Sequence, residues 1–143
     1  MEELATLRRL VQKHDYEGAL HLLDDMEEMG LKAIRNQVYS FIKVLLIHLM
    51  KQQAEKRTTR SWELSIENSL DQIHTANARN DAGSTYLSEG EIYKLIDKAY
   101  HISLKNASIE AFEGVLSERE FAKKLNEEEI KQTTLSLILN YQP

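Results

Sequence analysis

The only proline of this 143-residue chain is its last residue, Pro143. Nothing internal therefore forces a helix to end through a missing backbone donor or a clash with the preceding turn. Glycine is nearly as scarce. Gly18, Gly30, Gly83, Gly90 and Gly114 are the full set, and four of them fall where the apolar periodicity lapses. Between those points large apolar residues return every three to four positions, the period of a helix with one buried face. No stretch alternates with period two and no hairpin turn signal occurs. The expected fold class is all-α. It is read as one domain, 1–143, an antiparallel helical bundle with a long central helix over about 32–56 and short C-terminal helices.

Seven helical segments are predicted. The first covers roughly 2–14, with Leu4, Leu7, Leu10, Val11 and His14 on one face. The second starts after Asp15, read as its N-cap, and carries Tyr16, Ala19, Leu20, Leu23 and Met26. Gly30 follows as a left-handed C-terminal residue. The third, 32–56, is the central one, with Ile34, Val38, Phe41, Ile42, Leu45 and Leu49 inward. The fourth runs from about Thr59 to Arg79 and buries Trp62, Ile66, Leu70 and Ile73. Residues 80–88 are a loop by composition. Ser88 with Glu91, and Ser117 with Glu120, have the spacing of capping boxes and open a fifth helix and a short sixth. Asn126 with Glu129 introduces the last.

Composition removes several chemistries. With no cysteine there are no disulfides, thiolate metal sites or cysteine nucleophiles, which fits a cytoplasmic protein. The longest apolar run, Val44 to Met50, is interrupted by His48, so no spanning helix and no membrane role is expected. The Met-Glu-Glu start predicts no secretory signal. A net charge of −5 opposes non-specific nucleic-acid binding through the whole molecule, although a local basic patch can act against it.

Three stretches belong together. Leu-Asp-Asp-Met-Glu-Glu-Met-Gly (23–30) is followed by Val-Leu-Leu-Ile-His-Leu-Met-Lys (44–51) and by Arg-Ser-Trp-Glu-Leu-Ser-Ile (60–66). In these the chain resembles the bacterial family known as domain of unknown function 29, abundant in cyanobacteria. The resemblance covers about 4–111. It departs at Gln52, where the family usually has tryptophan, and in the tail after Phe112. It implies an all-helical fold and no particular activity.

The segment with most chemical content is Lys51, Lys56, Arg57, Arg60 and Trp62. Cations beside an aromatic can hold phosphate and stack a base, the reading of a nucleic-acid contact. The plainer reading is a solvated helix end whose cations complement the helix dipole, with the tryptophan in the core. His48, with Glu27 or Glu28, is a weak metal candidate, and His21 with Asp24 or Asp25 a weaker one. A histidine tied to a backbone carbonyl is the commoner outcome. The acidic run Asp24, Asp25, Glu27, Glu28 either meets a basic partner or is a solvated face, pairing with Lys32 and Arg35. A helix-turn-helix outline over 117–138 is disfavoured because Glu127, Glu128 and Glu129 would face phosphates with like charge. No glycine-rich phosphate loop, zinc-protease motif or nucleophile elbow occurs.

The expectation is therefore a non-catalytic helical protein-interaction module, with no catalytic residue and no cofactor. Its partner is an unknown protein or a second copy, at a surface joining 51–62 to the acidic segment 24–28. Nucleic-acid binding, or a toxin–antitoxin-like regulatory role, through 51–62 is the alternative, and a metal-dependent hydrolase the last.

Overall fold

The computed structural model describes residues 2–80 and 83–143. Among them are six α-helices: α1 (Glu2–Gln12), α2 (Tyr16–Glu55), α3 (Arg60–Asn77), α4 (Glu89–Glu110), α5 (Glu118–Ala122) and α6 (Glu127–Asn140). The all-α expectation holds. Among the described residues no helix is long and apolar enough to cross a membrane.

The main correction concerns the long helix, which begins at Tyr16 rather than near 32. The second and third predicted segments are one helix, and Gly30 lies inside it with no left-handed backbone. A single exposed glycine costs a helix about 1 kcal/mol relative to alanine. The Asp-Asp-Met-Glu-Glu-Met before Gly30 and the Leu-Lys-Ala after it contain several good helix formers, so the helix continues. Its start is as expected: the Gly18 N–H donates to Asp15 Oδ1 at 3.0 Å. His14, at φ 60°, makes the turn from α1.

The chain forms two compact units, Met1–Ile34 and Arg35–Pro143. In the smaller, α1 buries no residue and Ala19 is the buried residue of α2, so the stripe Tyr16, Leu20, Leu23 expected to face inward does not. In the larger, α2 buries Val38, Ile42, Leu45, Leu46 and Met50, all at 0% exposure. Leu46 and Met50 take inward places expected of Phe41 and Leu49, which are half-buried. Leu70 and Ile73 of α3, Ile92, Ile96 and Ala99 of α4, Phe121 of α5 and Ile130 of α6 belong to the same core. Each large apolar side chain fully buried contributes about 1.5–3 kcal/mol.

Local signals set the remaining ends. Ser88 accepts from the Glu91 N–H, and Glu91 accepts from the Ser88 N–H, at 3.2 and 3.1 Å. Ser117 and Glu120 repeat the arrangement at α5. These backbone bonds hold the carboxyls of Glu91 and Glu120 below the usual range. At α6 the cap is one-sided. Asn126 accepts from the Glu129 N–H, but its own N–H donates to Gln53 Oε1 of α2 at 2.6 Å.

Candidate functional site

The site is built where α2 ends. Lys56, at φ 54°, occupies the left-handed position that usually falls to glycine and turns the chain out of the helix. Thr59 then caps α3 by accepting the Trp62 N–H at 3.1 Å. Gln52 ties the turn by donating to Thr58 Oγ1 at 2.7 Å.

The reversal lays Trp62 against two cations. Lys51 Nζ stands 4.9 Å and Arg57 Cζ 4.7 Å from the ring centroid. Both cations also have anionic partners. Lys51, only 6% exposed, is 3.3 Å from Glu110 Oε1, and Arg57 Nε donates to Glu55 Oε1 at 3.0 Å. The other oxygen of Glu55 accepts the Phe112 N–H at 3.4 Å. Each cation thus has both an anionic partner and an aromatic ring beside it.

That last bond fixes an unusual turn, Ala111–Gly114, directly after α4. Phe112 (φ 50°, ψ 34°) and Glu113 (φ 56°, ψ 27°) are left-handed although neither is glycine. Such backbone costs about 1–2 kcal/mol per residue. Gly114 continues it at φ 75°, where a Cβ would meet the Ile109 carbonyl oxygen at 3.0 Å. The turn displays Phe112 and Val115 beside Trp62, with Val115 78% exposed. Together Lys51, Glu55, Arg57, Trp62, Glu110, Phe112, Glu113, Val115 and Leu116 line a groove of about 720 Å³. Its floor is apolar. Its lining also holds two cations against three carboxylates, so the wall as a whole does not favour an anion.

Of the five residues singled out in the sequence, the structure brings Lys51, Arg57 and Trp62 together here. It leaves Lys56 and Arg60 exposed and outside the groove. Sequence reasoning missed Glu55, Glu110, Phe112, Glu113, Val115 and Leu116. The one local signal was the lapse of periodicity at Gly114, followed by Val115 and Leu116 ahead of the Ser117 cap. Nothing local links them to Trp62. The acidic segment 24–28 belongs to the smaller unit and the groove to the larger.

His48 is half-buried, and its Nδ1 is 2.9 Å from the Val44 carbonyl oxygen one turn earlier. Glu27 and Glu28 lie on the same helix as His48, not on a preceding one. A helix makes neighbours only of residues three or four apart. Among the described residues no three histidine or carboxylate side chains converge as a metal site.

A second charged cluster joins α4 to α6. Lys131 donates to Asp97 and to Glu127, each at 2.7 Å, and stands 5.1 Å from the Tyr100 ring centroid. Burial pulls its pKa down, but the two carboxylates more than reverse this and hold it above the usual lysine value. Burial, reinforced by Glu127, pushes the Tyr100 phenol up to about 12. Both carboxylates are more than half exposed, so this is a fastening between helices with no cleft for a substrate. A cavity of about 340 Å³ near the end of α3 is lined by Ile73, His74, Asn77, Leu87 and Tyr141 among others. Asn77 is committed there, since its Oδ1 accepts the Leu87 N–H at 2.7 Å.

No curated protein and no solved structure matches this chain. A family model does, over residues 4–135, reaching into α6 and so beyond the stretch through residue 111 that carries the sequence resemblance. The chain therefore belongs to the family described as domain of unknown function DUF29.

Proposed function

We propose that this chain is a non-catalytic helical interaction module that receives a partner protein in the groove around Trp62. The observation that carries this reading is the turn at Phe112 and Glu113. Two non-glycine residues held in left-handed backbone keep Phe112 and Val115 beside a half-buried tryptophan. Strained backbone concentrates at working surfaces. An apolar floor with an aromatic anchor and a lining of both charge signs is the composition of a protein-docking site. With this reading goes a cytoplasmic, cyanobacterial setting, which rests on the family resemblance and the cysteine-free sequence.

The test is retention of a partner from host lysate by wild type and by Val115→Asp, each with and without nuclease. Val115 is 78% exposed, so the substitution leaves the fold intact. The reading expects one protein retained by wild type despite nuclease and lost by the variant. Equal retention by both overturns it.

Loss on nuclease treatment would favour the alternative, nucleic-acid binding or a toxin–antitoxin-like role. For that role, only Lys56 and Arg60 of the basic segment have no ion-pair partner among the described residues. Two phosphate contacts would give a shallow salt dependence, with log K falling at a slope of about −2. No observation favours the metal-dependent hydrolase reading.

A further inference from the structure

The smaller unit consists of two helical pieces, α1 and the first half of α2, joined by the short turn 13–15. Antiparallel packing is the usual arrangement of helices joined by so short a connection in a bundle. Each has one shielded face. On α1 these are Glu3, Thr6, Leu7 and Leu10, all half-buried; on α2 they are Ala19, Leu22 and Met26.

Each helix also carries a second apolar row about a quarter turn further on. Leu4 and Val11 of α1 are 50% and 47% exposed; Tyr16, Leu20 and Leu23 of α2 are 59%, 62% and 45% exposed. In an antiparallel pair, a quarter turn in the same sense from the contact face brings both rows to the same side. In that arrangement the two rows make one apolar face. A shallow groove of about 340 Å³ runs along its α1 half, lined by Leu4, Leu7, Arg8, Val11 and Gln12.

We propose that this face pairs with the same face of a second copy of the chain. Two observations favour a second copy over another partner. The first is area. The five side chains present roughly 500 Å² of apolar surface, near the upper end of what a monomer leaves uncovered. Twice that, with a polar rim, reaches the roughly 1,200 Å² at which specific pairs begin.

The second is charge. Arg8 stands in the α1 groove, and Glu27 interrupts the α2 row between Leu23 and Leu31. Neither has an ion-pair partner among the described residues. A face bearing its own cation and its own anion is complementary to itself. In a two-fold pair Arg8 of each copy meets Glu27 of the other, so one contact is made twice. The face shares no residue with the Trp62 groove, and the proposal stands whether or not the groove reading survives.

The experiment is sedimentation equilibrium of the full chain between about 1 and about 100 µM, a range that brackets micromolar self-association. The expected mass at the upper end is twice 16.6 kDa. Leu20→Glu/Leu23→Glu places two helix-compatible charges at exposed positions, so helical circular dichroism should be unchanged while the mass falls to that of one chain. Arg8→Glu and Glu27→Arg should each weaken the dimer about tenfold, and the two together should restore most of the loss. Val115→Asp, in the other groove, should leave the dimer unaffected. A wild-type monomer throughout the range overturns the proposal. So does a dimer indifferent to Leu20→Glu/Leu23→Glu, or a charge exchange that restores nothing.

Discussion

Gly30→Ala tests the most consequential difference between the sequence reading and the structure by the sign of its effect. Were Gly30 a left-handed terminator, alanine would cost about 1–2 kcal/mol in backbone strain. In the structure Gly30 is interior to α2, is exposed, and has nothing within 4 Å of where a Cβ would stand. The substitution then only removes backbone freedom from the unfolded chain and should stabilise by about 1 kcal/mol. For a chain of this size that raises the melting temperature by roughly 3 °C if unfolding is cooperative. Because the smaller unit buries so little, it should open before the rest, and the effect is best read locally. Native-state hydrogen exchange of amides 26–34 should slow about fivefold. Gly18→Ala provides the opposite sign in the same helix. Its Cβ would lie 2.6 Å from Asp15 Oδ2 and displace the N-cap, at a cost of about 1 kcal/mol. Destabilisation by Gly30→Ala, with faster exchange around it, would refute the continuous helix.

Glu113→Gly should stabilise by about 0.5–1 kcal/mol in urea unfolding, since relief of left-handed strain outweighs glycine's extra freedom in the unfolded chain. A loss would mean that the Glu113 side chain makes a stabilising contact. Ser103 Oγ is buried with no hydrogen-bond partner among the described residues, so Ser103→Ala should be neutral or stabilising by up to about 1 kcal/mol in the same assay. Lys131 and Tyr100 both hold their protons more tightly when folded. Their contribution should be complete below about pH 10 and decline above it, for Tyr100 as pH rises through about 12. Thermal melts should therefore fall off on the alkaline side. Tyr100 should titrate late by its absorbance, and its titration at the unfolded value would contradict the fastening.

What the sequence revealed about this protein was mostly what neighbours decide. Ser88, Ser117 and Asp15 cap helices because each needs only a backbone donor two or three residues ahead. Lys51, Arg57 and Trp62 were legible as a unit because they flank a single turn. The rest depends on distant chain segments. Glu110 and Phe112 reach the site only because the end of α4 packs beside the end of α2, 57 to 59 residues away in sequence. Left-handed backbone at Phe112 and Glu113 has no signature in residue type, because glycine and asparagine usually occupy it. Gly30 misled for a related reason: a glycine marks where a helix can stop, while the residues around it decide whether it does.

The inward lysines also change what reagents can find. Among the described residues, Lys51 and Lys131 are buried, at 6% and 7% exposure, each bonded to a carboxylate. An amine attacks an acylating reagent only when it is reachable, and neither of these two is reachable in the folded chain. Mass spectrometry after a brief acylation pulse should find the outer lysines modified and these two bare. Lys51 becomes reactive when the end of α4 leaves the end of α2, and Lys131 when α6 leaves α4. The chain thus carries two intrinsic reporters of local opening, one beside the groove and one far along the sequence from it, readable without any added label site.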